Sequence, residues 1–401
     1  MPNTTIHTGR HFLQIPGPTN VPDRVLRAID MPTIDHRGPE FAQLGHEVID
    51  ATRKAFRPKK PVIIYSSSGT GAWEAAMVNT LSPGDKVLMA ETGQFSTLWR
   101  ALVQKMKVEV DFLPGDWKRG ADANQIEEKL REDKDHKIKG VMVVHSETST
   151  GAVTDIPAVR KAIDNAKHPA LLFVDTISGL ASIEYEHDKW GVDVTIAGSQ
   201  KGLMLPPGLG FNAISDKALA AHKASSAIRS YWDWGDIVEA NKSGSWPYTP
   251  ATNLLYGLKE AIAMLNEEGL DNVFARHKRH GEAARAALAH WGLQNQCADP
   301  KAYSPILTAI VMPDGHDADQ FRKVVLDNFD MSLGAGLGKI KGKVFRVGHI
   351  GHFNDLMLMG ALSGVEMALD LAKVPHRSGG VVAAMEVLTG RGATQASRAV
   401  A

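Results

Sequence analysis

Three short stretches of the chain carry residue types that can do chemistry together. The first is Ser66-Ser67-Ser68-Gly69-Thr70-Gly71-Ala72-Trp73-Glu74. A β-branched run, Val62-Ile63-Ile64-Tyr65, leads in, and a helical composition runs on to Leu81. Backbone N–H groups at such a helix start, with the hydroxyls of Ser68 and Thr70, make an anion site whose natural occupant is a phosphate. The spacing is neither the Walker one nor Gly-x-Gly-x-x-Gly, so alone it says little. The second is Asp175, which closes the apolar run Leu171-Leu172-Phe173-Val174. Open α/β sheets bind ligands at the carboxyl ends of their strands; taken alone, Asp175 reads equally well as a helix N-cap. The third is Lys201, in Ala197-Gly198-Ser199-Gln200-Lys201-Gly202, directly after the strand-like Val192-Asp193-Val194-Thr195-Ile196. A lysine closed in by small and apolar residues loses its proton more easily, which a Schiff-base lysine requires. An isolated lysine in a Gly-rich loop would read as a surface residue.

Together the three make a sharper statement. A phosphate cradle, a strand-end aspartate and a strand-end lysine are what pyridoxal phosphate needs. The cradle takes its phosphate, Lys201 its aldehyde carbon, and Asp175 its pyridinium nitrogen, which makes the ring an electron sink.

The elements that must position these residues alternate in type. Lys86-Val87-Leu88-Met89, Val141-Met142-Val143-Val144 and Leu171 to Val174 are short apolar runs. Such runs fit strands buried on both faces, with helical stretches such as Ile156 to Ala166 between them. This predicts an α/β domain with a mostly parallel sheet. Near residue 250 the character changes. Leu254 to Glu268 and Asp271 to Trp291 read as consecutive amphipathic helices, followed by strand-like Ile306 to Val311 and Val344 to Val347. The division expected is an irregular N-terminal arm over 1–20, a large domain over 21–265 and a smaller α+β domain over 266–401.

Composition narrows the function classes. The 401 residues balance 45 basic against 45 acidic side chains, which removes nucleic-acid binding by bulk charge. The single cysteine, Cys297, removes an intrachain disulfide framework and multi-cysteine zinc sites, and fits a reducing, cytoplasmic compartment. No apolar run approaches the ~18 residues of a membrane span. The N-terminus lacks a signal-peptide pattern, and the end, Ser397 to Ala401, is not a peroxisomal one. His349 and His352 match no metal-ligand spacing. His277 to His280 read as a solvated helix face, Trp232 and Trp234 as packing or a dimer interface rather than a ligand cage, and His145 as structural.

Longer motifs carry a resemblance. Ser68-Gly69-Thr70-Gly71-Ala72-Trp73-Glu74, Gly198-Ser199-Gln200-Lys201-Gly202, Pro247-Tyr248-Thr249-Pro250 and Gly342-Lys343-Val344-Phe345-Arg346-Val347-Gly348 resemble the class V aminotransferases. The likeness is greatest to the serine–glyoxylate and alanine–glyoxylate group and runs from Pro16 to about Ala384. It implies a fold type I transferase, with a seven-stranded sheet in its large domain. By resemblance Ser68, Gly69 and Thr70 bind the cofactor phosphate, Phe95 stacks on the ring, and Thr148 lies near the phenolic oxygen. Gln200 and Lys201 match the family's Gln-Lys pair. Thr249 matches a residue reaching the phosphate of a neighbouring subunit, which implies a homodimer. Arg346 matches the arginine that grips the substrate carboxylate, as a planar guanidinium can with two parallel hydrogen bonds.

The reaction so implied is ping-pong. An amino acid replaces Lys201 on the cofactor, the freed Lys201 moves the α-proton as general base, a 2-oxo acid leaves, and glyoxylate returns through the same steps to glycine. Two segments depart from the family pattern. Ser146-Glu147-Thr148-Ser149-Thr150-Gly151 stands where Asn-Glu-Thr-Ala-Thr-Gly is usual, and Thr176-Ile177-Ser178-Gly179 where Gly-Val-Ser-Ser is usual. Both lie near the cofactor, so they bear on the amino donor. L-Serine is the donor expected, with aspartate or alanine as alternatives. Met31 to Arg37 resembles an aspartate–glyoxylate branch, in which Arg37 would favour a dicarboxylic donor; otherwise Arg37 is a loop residue. A cysteine desulfurase would need a mobile catalytic cysteine, and Cys297 does not lie in such a loop. A cofactor-binding regulatory protein would have no need of Arg346.

Overall fold

The structure, a computed structural model, describes residues 8–391. The readings of both chain ends therefore concern residues largely outside the described ones. Fourteen strands follow in chain order: β1 Phe12–Gln14, β2 Val62–Ser67, β3 Lys86–Ala90, β4 Glu109–Leu113, β5 Ile138–Val144, β6 Ser146–Glu147, β7 Ala152–Val153, β8 Leu171–Asp175, β9 Val194–Gly198, β10 Gly208–Ile214, β11 Gln294–Asn295, β12 Leu307–Val311, β13 Met331–Ala335 and β14 Val344–Gly348.

Seven of them form one sheet in the order β2-β10-β9-β8-β5-β3-β4. The pairs from β9 through β4 are parallel, and β10 runs antiparallel to β9 and to β2. All five residues of β8 and of β9 are buried. That burial is why their sequences are continuous apolar runs rather than alternating ones. Helices cover the faces, among them Gly69–Thr80 after β2 and Gln94–Lys105 after β3. The expected mostly parallel seven-stranded sheet is present.

A second sheet, β1-β13-β14-β12-β11, has five strands. Its pairs are antiparallel except β1 with β13. The chain thus contributes Phe12–Gln14 to the sheet otherwise built by its last third, within a stretch read as irregular. Three residues before a Pro-Gly-Pro turn are too few for a sequence pattern to declare a strand. The helices expected after residue 250 span Thr252–Glu268 and Leu270–Trp291. A separate apolar core, with Trp291, Phe321, Phe345 and Leu362, packs against this second sheet. Among the described residues no helix is long and apolar enough to cross a membrane.

Candidate active site

Parallel order in the large sheet brings Asp175 and Lys201 to one edge, because both follow strands that run side by side. Asp175 is the last residue of β8 and is buried. Its Oδ1 accepts from the Ile177 N–H at 2.7 Å and its Oδ2 from the Trp73 indole N–H at 3.1 Å. Burial pushes its carboxyl up to about 7, and the charge of Glu147 adds to this; the two hydrogen bonds and the Lys201 charge act against it. Trp73 is itself fixed by stacking on Trp99, with ring centroids 5.8 Å apart.

Lys201 stands three residues beyond β9 and is buried. Burial lowers its amine to about 7, with the Arg346 charge helping and the Asp175 charge opposing. Its Nζ donates to the Pro16 carbonyl. Gly17 has a φ of +106°, and a Cβ there would lie 2.4 Å from the Lys201 Nζ. The Pro16-Gly17-Pro18 turn therefore closes over the lysine only because its middle residue has no side chain. Thr19 holds the same turn down, donating from N–H to the Gln200 carbonyl at 3.1 Å and from Oγ1 to the Lys201 carbonyl at 3.2 Å.

Between these groups lies a cavity of about 260 Å³. Ser68, Gly69, Thr70, Phe95, Thr148, Asp175, Gln200 and Lys201 all line it. Ser68 is the N-cap of the helix Gly69–Thr80, and its hydroxyl accepts from the Gly71 N–H. A Cβ on Gly69 would come within 2.5 Å of the Ile177 side chain, so glycine lets that side chain pack against the helix start. The Thr148 hydroxyl bonds that of Ser178. The buried Oε1 of Gln200 has no protein partner among the described residues. Free N–H groups at a helix start, a deprotonable amine, a carboxyl opposite and an unpaired buried acceptor are a donor set that fits pyridoxal phosphate.

Two expected residues stand apart from the cavity wall. Arg346 lies in the middle of β14, buried, with Nε donating to the Ala335 carbonyl at 2.8 Å and Nη1 to the Thr148 carbonyl at 2.9 Å. It therefore borders the cavity through Thr148. Burial brings its guanidinium down to about 10, while the Glu147 charge favours the charged form. Thr249 is exposed, shortly before the helix Thr252–Glu268, and does not line the cavity. Sequence reasoning gives Trp73, Ser178 and the Pro16 carbonyl no individual role, although Trp73 lies in the cradle motif and Ser178 in a segment expected near the cofactor. Cys297 is buried and does not line the cavity. His145 is buried beside Tyr185 and Trp190, and burial lowers its imidazole to about 4.

Residues 11–337 match the family described as Aminotransferase class-V. The chain is 49% identical to a serine–glyoxylate aminotransferase of Methylorubrum extorquens, over 91% of this chain and 92% of that one. It is 43% identical to an L-aspartate–glyoxylate aminotransferase of Paracoccus denitrificans, over 94% and 96%. Among solved structures, pyridoxamine–pyruvate aminotransferase from Mesorhizobium loti superposes with a TM-score of 0.88 at 26% identity, covering 96% of this chain and 98% of that one.

Proposed function

The chain belongs to the class V aminotransferases, and from that premise we propose that it moves the amino group of L-serine to glyoxylate, giving hydroxypyruvate and glycine. It is a pyridoxal-phosphate enzyme. The observation that carries the reading is the Lys201 amine, buried at one sheet edge with the Asp175 carboxyl and the Arg346 guanidinium acting on it.

The cofactor, when bound, supplies an electron sink for the pair left at the substrate α-carbon. The protein's own groups do the rest. Ser68, Gly69 and Thr70 would hold the phosphate at the start of their helix. Asp175 would face the ring nitrogen, Phe95 the ring, and Thr148 and Gln200 the polar edge. Arg346 binds the substrate carboxylate. Lys201, its amine lowered by burial to about 7, takes the α-proton and returns it. The Pro16 carbonyl gives its amine an acceptor when that amine is free. Thr249, exposed on this chain, would complete the phosphate site of a second copy in a homodimer. A cytoplasmic setting suits a chain with one buried cysteine.

L-Aspartate is the second reading, favoured by the Paracoccus denitrificans relative. Among the residues lining the cavity Lys201 is the one cation. A second donor carboxylate would therefore need a cation from elsewhere, and Arg37 is the candidate. The test is a half-reaction on cofactor-loaded protein, with L-serine, L-aspartate or L-alanine added singly and loss of the cofactor's visible absorbance followed. Fastest conversion with serine supports the proposal, whereas a preference for aspartate replaces it. No conversion with any donor would overturn the amino-transfer chemistry itself.

A further inference from the structure

Behind the cavity wall lies a buried carboxylate with no part in the roles above. Glu147 ends β6 and has no exposure to water. Its Oε1 accepts from the Phe95 N–H at 3.2 Å, the Ser149 N–H at 3.1 Å and the Ser149 hydroxyl at 2.6 Å. Its Oε2 accepts from the Ser96 N–H at 3.2 Å. Ser149 Oγ in turn accepts from the Gln94 N–H at 2.9 Å. Three successive N–H groups, of Gln94, Phe95 and Ser96, open the helix Gln94–Lys105 and have no partner within it. All three are taken by a segment roughly fifty residues later in the chain.

Several other helices are capped locally. Asp122, Asp155 and Asp317 each cap the helix that begins directly after them. Here the preceding residue is Gly93, which has no side chain to cap with. A Cβ on it would lie 2.4 Å from Ser149 Oγ and 2.5 Å from Glu147 Cγ. The glycine makes room for a cap supplied from a distance. The middle residue of the capped trio is Phe95, whose side chain lines the cavity. The residue after Glu147 is Thr148, whose carbonyl receives Arg346. The charge of Glu147 favours the charged form of Arg346 and opposes ionisation of Asp175. A carboxylate out of water is costly unless hydrogen-bonded, and a local serine or aspartate would cap the helix as well. Its placement serves the site.

We propose that Glu147 is a positioning residue: its carboxylate fixes the turn from which Phe95 reaches the cavity, and acts on cofactor binding through that ring. The inference rests on the reading of Phe95 as the residue that stacks on the cofactor. The experiment is a double-mutant cycle on the holoenzyme with Glu147→Gln, Phe95→Ala and both together. Gln keeps one acceptor oxygen but turns a donor toward the Ser96 N–H. The readout is the rate of pyridoxal phosphate loss on dilution, followed by absorbance, with melting of each apoprotein measured alongside.

E147Q should speed cofactor loss by about tenfold in the parent, the cost of an unpaired buried donor, and by less than about twofold when Phe95 is already alanine. Equal acceleration in both backgrounds would overturn the proposal, because a cap that only stabilises the fold acts whether or not the ring is present. Should E147Q fail to fold, Ser149→Ala weakens the same cap and is expected to show a smaller acceleration, on the order of threefold, with the same dependence on Phe95. A parent that binds no pyridoxal phosphate overturns the functional reading and the inference with it; a parent that binds it with an additive cycle overturns the inference alone.

Discussion

Lys201 follows β9 of the seven-stranded sheet and lines the cavity, whereas Arg346 stands inside β14 of the five-stranded one and borders it through Thr148; both cations are buried. Burial disfavours the charged form of each. It brings the lysine from 10.5 to about 7, and the arginine, which starts as the stronger base, down only to about 10. The first becomes a group that can gain and lose a proton at working pH. The second stays a fixed charge, and its Nε and Nη1 are already held by the Ala335 and Thr148 carbonyls. The same desolvation thus leaves a titratable amine beside one sheet and a fixed cation within the other, because the two side chains start from different intrinsic basicities; on the proposed function the first serves as base and the second as anchor. Exchanging the two types would spoil both functions.

Lys201→Ala strikes hardest at this contrast. Turnover should fall by about ten-thousand-fold, the upper range for losing a positioned general base, with the KM for serine little changed. A variant with full steady-state turnover would remove Lys201 from the chemistry. Arg346→Lys comes next. A lysine at that position loses the planar fork and meets the same burial, so kcat/KM should fall by about a hundredfold for donor and glyoxylate alike, mostly through KM. A loss confined to kcat would show that Arg346 does not act by binding the carboxylate.

The two regions also differed in how far the sequence revealed them. Asp175 and Lys201 stood out because β8 and β9 are wholly buried, and buried parallel strands leave unbroken apolar runs whose ends can be counted. Arg346 sits mid-strand, flanked by Phe345 and Val347, and nothing in that pattern singles it out from any arginine on a sheet; only the longer motif around it points to the proposed role. β10, Gly208–Ile214, escaped because its glycines and Asn212 are residues that strands avoid. Asn212 is buried and bonded to Tyr65 and to the Ala72 carbonyl, so tertiary contacts override its propensity. The sequence assigns no role to Glu147, because its partners Phe95 and Ser96 lie far away along the chain.

A pH experiment sharpens the contrast at smaller amplitude. In the apoprotein Lys201 is protonated below about 7 and neutral above it, since its folded value is depressed from 10.5. Capture of pyridoxal phosphate at low cofactor concentration should therefore rise about tenfold per unit up to about pH 7 and then level off, because only the neutral amine attacks. A lysine in water would keep rising toward 10.5. Arg346→Gln removes a positive charge that lowers Lys201, so its midpoint should move up. Asp175→Asn removes a negative charge that raises Lys201, so its midpoint should move down. Midpoints unmoved by either change would mean that desolvation alone sets the lysine.

The smallest effect expected comes from Arg37. It is exposed and does not line the cavity, and its N–H is bonded to the Asp35 carboxylate. With L-serine, whose side chain carries no charge, Arg37→Ala should change kcat/KM by less than about twofold, the size usual for an exposed charge away from the reacting groups. The informative comparison is the same variant with L-aspartate. If aspartate transfer drops by tenfold or more while serine transfer stays level, Arg37 reaches a donor's second carboxylate. That outcome would move the proposed donor from serine toward aspartate. Equal, small effects on both donors would leave Lys201 and Arg346 as the cations that matter, one for each sheet.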